Sequence, residues 1–164
     1  MLRRGYRIIG DFGELFIASI LIKMGSVVRW VGRGRKSFDL FVEKPEGELI
    51  KRRSYVEVKT RRLSRRSYWK DIPPSLEDFN RKKSLAEKEN CDYILAFVFY
   101  DIAKDNGVLK LWIKSYIVDS RNIDETWFIE RKYRGKIIKQ ISIKRILSLK
   151  PSEAIIIETI QQIK

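Results

Sequence analysis

Histidine is absent from this chain, and Cys91 is its only cysteine. The first absence excludes Ser-His-Asp and Cys-His nucleophilic catalysis, histidine general bases and histidine-ligated zinc. The second excludes an internal disulfide and a cysteine-based zinc cluster. No apolar run approaches the roughly 20 residues that span a bilayer, and residues 1–25 carry no signal-peptide cleavage pattern. The expected setting is therefore the cytoplasm, with no membrane partner. Glutamine, asparagine and methionine are scarce beside isoleucine, lysine and arginine, a balance compatible with a thermophilic source. Any catalysis must run on carboxylates, lysine, tyrosine, serine, or a metal held by oxygen ligands.

What the chain has in excess is positive charge. Its 35 Lys and Arg against 21 Asp and Glu give a net charge of +14. Such a charge favours a polyanionic partner, because each neutralised phosphate releases counterions. Residues 1–75 hold 18 of the basic residues but only 8 of the acidic ones, so this half is the expected nucleic-acid face. The plainer alternative is a charge that serves solubility or a ribosomal-type role. Hydrophobic residues at 44% over 164 positions are enough for the core of one domain.

Periodicity predicts a helix from Ile8 to about Met24, opened by the Asp11-x-x-Glu14 signal and closed by Gly25. Strands are expected at 27–31, 38–42 and 55–60, separated by the GRGRK loop (32–36) and a Pro45–Gly47 turn. A basic, then proline-rich connection runs over 61–74. It leads to a polar helix from about Ser75 to Asn90, with Leu76, Phe79 and Leu85 as its buried positions. CDYILAFVFY (91–100) is apolar almost without alternation, as expected of a central strand covered on both faces. Asn106-Gly107 predicts a hairpin into a strand over 108–118. TWFIERKY and KIIKQISI flank Arg134-Gly135 as a second hairpin, and Pro151 is expected to open a final helix through Ile163. Isoleucines 155, 156, 157, 160 and 163 would cover more than one face of that helix, which suggests a subunit of a larger assembly.

In this layout Glu14 falls on the first helix, Asp39 at the start of the second strand, and Glu57 and Lys59 on the third. Strand alternation points Glu57 and Lys59 to one face, and pairing of the second and third strands would bring Asp39 beside Glu57. Adjacent carboxylates repel, and a hard divalent cation such as Mg²⁺ relieves the repulsion while taking water and phosphate as further ligands. Such a cation binds and polarises a phosphodiester and activates water; a nearby lysine orients that water. Each residue also has a plain structural reading. Glu14 closes a capping box with Asp11, Asp39 is a solvent-facing strand entry, and Glu57 with Lys59 is an ordinary same-face pair.

The segments GDFGELFIASIL (10–21), SFDLFV (37–42) and YVEVKT (55–60) together resemble the PD-(D/E)xK nuclease superfamily, which includes restriction endonucleases and archaeal Holliday junction resolvases. Phe38 stands where the signature has proline. The resemblance covers about residues 8–100, and GVLKLWIKSYIV suits the strand that follows this core in junction resolvases; residues 119–164 match nothing in it. It implies an α/β fold with a restriction-endonuclease-like core (helix, three strands, helix, strand) around a mixed sheet. The core domain would be residues 1–118, with 119–164 a C-terminal hairpin and helix extension of the same domain. It implies a catalytic set of Glu14, Asp39, Glu57 and Lys59. Asp39, Glu57 and the Val58 carbonyl would hold Mg²⁺ or Mn²⁺, with Glu14 reaching it through water and Lys59 positioning the attacking water. Arg29, Arg33, Arg35, Lys36, Arg61, Arg62, Arg65 and Arg66 would bracket the site as phosphate contacts. Tyr68 and Trp69 would stack on a base or pack on the sheet. The expected activity is a Mg²⁺-dependent DNA endonuclease leaving 5′-phosphate ends, working as a homodimer on junctions or as a restriction or defence enzyme. The alternative is a non-catalytic nucleic-acid-binding module.

Overall fold

The computed structural model describes residues 2–31, 38–46, 50–63 and 70–163. Helix α1 spans Leu2–Lys23, so it begins well before Asp11, and the Asp11-x-x-Glu14 signal lies inside the helix rather than at its start. Leucine and arginine in the segment before Ile8 are strong helix formers and extend it backward. The helix stops where expected. Gly25 takes a φ of 91°, its N–H donates to the Ile22 carbonyl, and the Ser26 N–H donates to that of Leu21, a Schellman closure.

Strands β1 (Val27–Trp30), β2 (Leu40–Lys44) and β3 (Ser54–Arg62) form an antiparallel meander. Asp39 precedes β2 instead of lying within it. The connection after β3 contains a further short strand, β4 (Asp71–Ser75), at the edge of a second sheet. Pro73 and Pro74 cannot donate to a ladder. They sit where β4 slips register against its partner, the place an edge strand tolerates them. Ser75 then caps helix α2 (Leu76–Lys88) by accepting the Asp78 N–H. Of its predicted buried positions Phe79 is buried, whereas Leu76 and Leu85 are half-buried; Lys82 and Ala86 complete the buried stripe.

Strand β5 (Asp92–Asp105) pairs parallel to β3 and antiparallel to β6 (Val108–Asp119). Asn106 and Gly107 both take positive φ, as a type I′ turn requires. After two 3₁₀ turns the chain forms β7 (Phe128–Tyr133) and β8 (Lys136–Ser142), the second predicted hairpin, and a short helix α3 (Ile143–Leu147). The predicted final helix is instead a strand, β9 (Ile155–Ile163), antiparallel to β6. Its β-branched isoleucines and Thr159 prefer the pleat. Ile155 and Ile156 pack on opposite faces of the sheet, which removes the reason for reading the isoleucines as a subunit interface.

The result is a mixed α/β fold with a six-stranded sheet, β1-β2-β3-β5-β6-β9, and a three-stranded one, β4-β8-β7. One face of the large sheet packs on α1 through Ile17, Leu21, Val56, Val58, Ala96 and Val98. The other packs on α2 and the small sheet through Tyr55, Phe79, Leu95, Phe97, Trp127 and Ile141. Burial on both faces accounts for the unbroken apolar run in β5. Trp127, Phe128 and Ile141 share that second cluster with Phe79, so residues beyond 118 build part of the core. No helix among the described residues is long and apolar enough to cross a membrane.

Candidate active site

The ladder between β2 and β3 ends at the Leu40–Val56 pair. Asp39 takes over from there with side chain as well as backbone. Its N–H donates to the Val56 carbonyl, its own carbonyl accepts the Val31 N–H, and Oδ2 accepts the Val58 N–H at 2.7 Å. The carboxylate thus stands in for the strand residue that would have continued the ladder. Alternate residues of a strand direct both backbone groups to the same neighbour, so the Val58 carbonyl also faces the side that β2 has left. Oδ1 of Asp39 accepts no hydrogen bond among the described residues. Burial and the neighbouring Glu57 charge raise the Asp39 pKa, against the opposing pull of the Val58 N–H, Lys59 and Lys82.

Glu57 lies on the α2 face of β3 with 1% of its surface exposed. A carboxylate so buried must be paired, and it is. Oε1 meets the Lys59 ammonium at 2.6 Å and that of Lys82 at 2.6 Å, while the Tyr93 hydroxyl donates to Oε2. Burial acts to raise the Glu57 pKa, but the two lysines overcome it and hold it below the ordinary value. Burial likewise acts to lower the Lys59 pKa, and the Glu57 charge and hydrogen bond, helped by Asp39 and Asp78, carry it above the usual lysine range. Lys59 is therefore a cation at neutral pH. Burial and the Glu57 charge keep Tyr93 a neutral phenol.

Glu14 approaches from α1. Its Oε2 accepts the Trp30 Nε1–H at 2.6 Å. Burial raises its pKa; the Trp30 bond lowers it, and the Asp39 charge raises it further. The helix can lie this close because residue 13 is glycine: a Cβ there would stand 1.7 Å from Oγ1 of Thr60 on β3. Glu14, Asp39, Glu57 and Lys59 are thus one electrostatic neighbourhood, in which Asp39 senses both other carboxylates. Among the described residues, no three carboxylates gather into a ready cation cage. The donor set that suits a hard cation is smaller: Asp39 Oδ1, the Val58 carbonyl and Glu57. That is compatible with Mg²⁺, which is commonly held by one or two carboxylates plus water and phosphate.

The basic residues divide. Arg29 pairs with Glu43 at 3.7 Å and lies over the Phe41 ring. Arg62 pairs with Asp101 at 3.2 Å. Arg61 is half-buried near Asp71 and Arg131, and its surroundings lower its pKa, burial foremost. Arg33, Arg35, Lys36, Arg65, Arg66, Tyr68 and Trp69 lie outside the described residues.

Four residues that sequence reasoning did not select complete the site: Lys82, Asp78, Tyr93 and Trp30. Lys82 left a trace, since it shares a helical stripe with Phe79 and Ala86, where an unpaired lysine would be costly. Tyr93 left another: its hydroxyl, in a strand expected to be covered on both faces, needs an acceptor. Asp78 reads as an ordinary acid of a helix first turn, and Trp30 carries no signal of its contact with Glu14. No protein-family model matches the chain, and no curated protein is a significant match to it.

Proposed function

We propose that this chain is a metal-dependent endonuclease of the PD-(D/E)xK type, with a restriction-endonuclease-like core, acting on DNA. The observation that carries the proposal is the end of the β2–β3 ladder. There Asp39, held by the Val58 N–H, lies in the same electrostatic neighbourhood as Glu57 and Lys59. The element order α1, β1–β3, α2, β5, interrupted only by the short β4 of the second sheet, supports it, as does the net charge of +14. Asp39 Oδ1, the Val58 carbonyl and Glu57 would hold Mg²⁺ or Mn²⁺, with Glu14 behind Asp39. A bound divalent cation supplies Lewis acidity toward the scissile phosphate and lowers the pKa of a coordinated water. Lys59 stays protonated and offers N–H donors to orient that water or a non-bridging phosphate oxygen. Tyr93 keeps Glu57 Oε2 in place.

A homodimer is part of the proposal. Ile8, Leu15 and Ile22 are 69%, 59% and 57% exposed and recur every seven residues on α1. An Ile-Leu-Ile row centred on Leu15 reads the same in both directions. Two antiparallel copies therefore match Ile8 to Ile22 and Leu15 to Leu15, the self-complementarity a two-fold interface needs.

The test is incubation with plasmid, linear duplex and a synthetic four-way junction, in Mg²⁺, Mn²⁺ or EDTA. Cation-dependent cleavage that is lost in Asp39→Asn supports the enzyme, and the preferred substrate separates a junction resolvase from a restriction or defence enzyme. A non-catalytic DNA-binding module is the second reading. It is favoured by the full pairing of the Glu57 carboxylate by Lys59, Lys82 and Tyr93. Retained DNA binding with no cleavage of any substrate decides for it.

A further inference from the structure

Two ammonium groups share one oxygen in this site. Lys59 and Lys82 both lie 2.6 Å from Glu57 Oε1, where each disfavours the other. They differ in what else they hold. Lys82, on α2, also lies 2.9 Å from Asp78 Oδ2 one turn earlier. Asp78 is partly open to solvent and is shared with Arg81. Among the described residues, Lys59 is ion-paired with Glu57 alone. Lys82 is only 6% exposed, so its ammonium must remain on one carboxylate or the other.

We propose that Lys82 is a resident counter-cation. It positions Glu57 while no divalent cation is bound, and it gives up Glu57 and keeps Asp78 alone when a divalent cation takes Glu57. Lys82 is a positioning residue, acting through Glu57, and keeps its proton throughout. Asp78 is the receiving partner. This assignment rests on the metal-dependent reading above and adds that cation binding is a competition within the protein.

Calorimetric titration of Mn²⁺ into EDTA-stripped protein tests it without reference to activity. Lys82→Met removes the competitor, and Mn²⁺ is expected to bind about tenfold tighter, the scale on which charges in one network couple. Asp78→Asn removes the place to which Lys82 withdraws, and Mn²⁺ is expected to bind more weakly by a similar factor. Lys83→Met deletes the same charge one residue along α2 and is expected to leave affinity unchanged. A purely structural Lys82 would move the first two variants in the same direction. Unchanged or weaker binding in Lys82→Met overturns the assignment, as does equal tightening in Lys83→Met. If Lys82→Met does not fold, Asp78→Asn decides: weaker binding supports the assignment, and unchanged or tighter binding overturns it. Wild-type protein that binds Mn²⁺ and loses it in Asp39→Asn, with no tightening in Lys82→Met, leaves the nuclease reading standing and sinks only the role of Lys82. Wild-type protein that binds no Mn²⁺ overturns both.

Discussion

The Asp39 carboxylate accepts a backbone N–H with one oxygen and leaves the other without a hydrogen bond among the described residues, so its structural and chemical roles separate by substitution. Asparagine keeps a carbonyl oxygen for the Val58 N–H. Asp39→Asn is expected to hold stability within about 1 kcal/mol while abolishing the proposed cleavage and retaining DNA binding; Asp39→Ala strands the Val58 N–H and costs about 1–3 kcal/mol. Denaturant titrations of the two variants beside cleavage assays check this, and equal stability losses would contradict the role given to Oδ2. Glu57 makes a second prediction, in pH. Its folded pKa lies below the ordinary 4.5, so the folded state binds this proton more weakly than the unfolded chain does. The stability it contributes is complete above 4.5 and is lost as pH falls through the depressed value. Glu57→Gln leaves Lys59 and Lys82 without their shared anion and is expected to cost about 3–5 kcal/mol at neutral pH. It should also remove this group's share of the acid slope. Unfolding free energies measured from pH 7 to pH 3 test it; an identical slope in both proteins would show that the acid sensitivity lies elsewhere.

At the scale of elements, α1 and β3 meet at Gly13 and Thr60. In an open helix, glycine to alanine adds up to about 1 kcal/mol of stability. At position 13 the sign should invert, because the new Cβ would stand 1.7 Å from Thr60 Oγ1 and 3.0 Å from its Cβ. Gly13→Ala is expected to lose about 1–3 kcal/mol and to weaken the proposed cleavage by displacing Glu14. Much of the loss should return in Gly13→Ala with Thr60→Ala. That second change is cheap, since the Thr60 hydroxyl is buried without a hydrogen-bond partner among the described residues. Thermal melts of the two singles and the double settle it, and stabilisation by Gly13→Ala alone would refute the close contact. Elements whose reasons are local were legible in the sequence. Asn106-Gly107 and Arg134-Gly135 carry the positive φ values of their turns, and Gly25 ends α1. β9 was misread because proline followed by isoleucines looks like a helix start until β6 is known to offer an edge. That Glu14, Asp39, Glu57 and Lys59 would come near one another was legible because each is an acid or base in an otherwise apolar or strand-like setting. Lys82 left only the trace of its stripe with Phe79 and Ala86, because a polar helix hides one buried lysine among exposed ones.

At the scale of the whole molecule, the charge of +14 and the apolar row on α1 make separate claims. The charge predicts DNA affinity that falls steeply with salt. The row predicts a dimer: Leu15→Lys should convert it to a monomer in sedimentation without unfolding it, because that side chain already faces solvent. A wild-type monomer at micromolar concentration would refute the row as an interface. The parallel pairing of β3 with β5 has a kinetic consequence. β5 and β6 close over a two-residue turn, whereas β3 reaches β5 only across β4 and α2, and closing the longer loop costs more chain entropy. We expect the hairpin to form first and β3 to dock on it afterwards, so that Glu57 meets Tyr93 and Lys82 late in folding. Pulse-labelled amide exchange should find Phe97 and Tyr116, a pair within the hairpin, protected before Glu57, whose backbone faces β5. On the ribosome, a chain that has emerged only as far as Arg62 would have Glu14, Asp39, Glu57 and Lys59 all in hand, but neither Lys82 nor Tyr93 to hold Glu57.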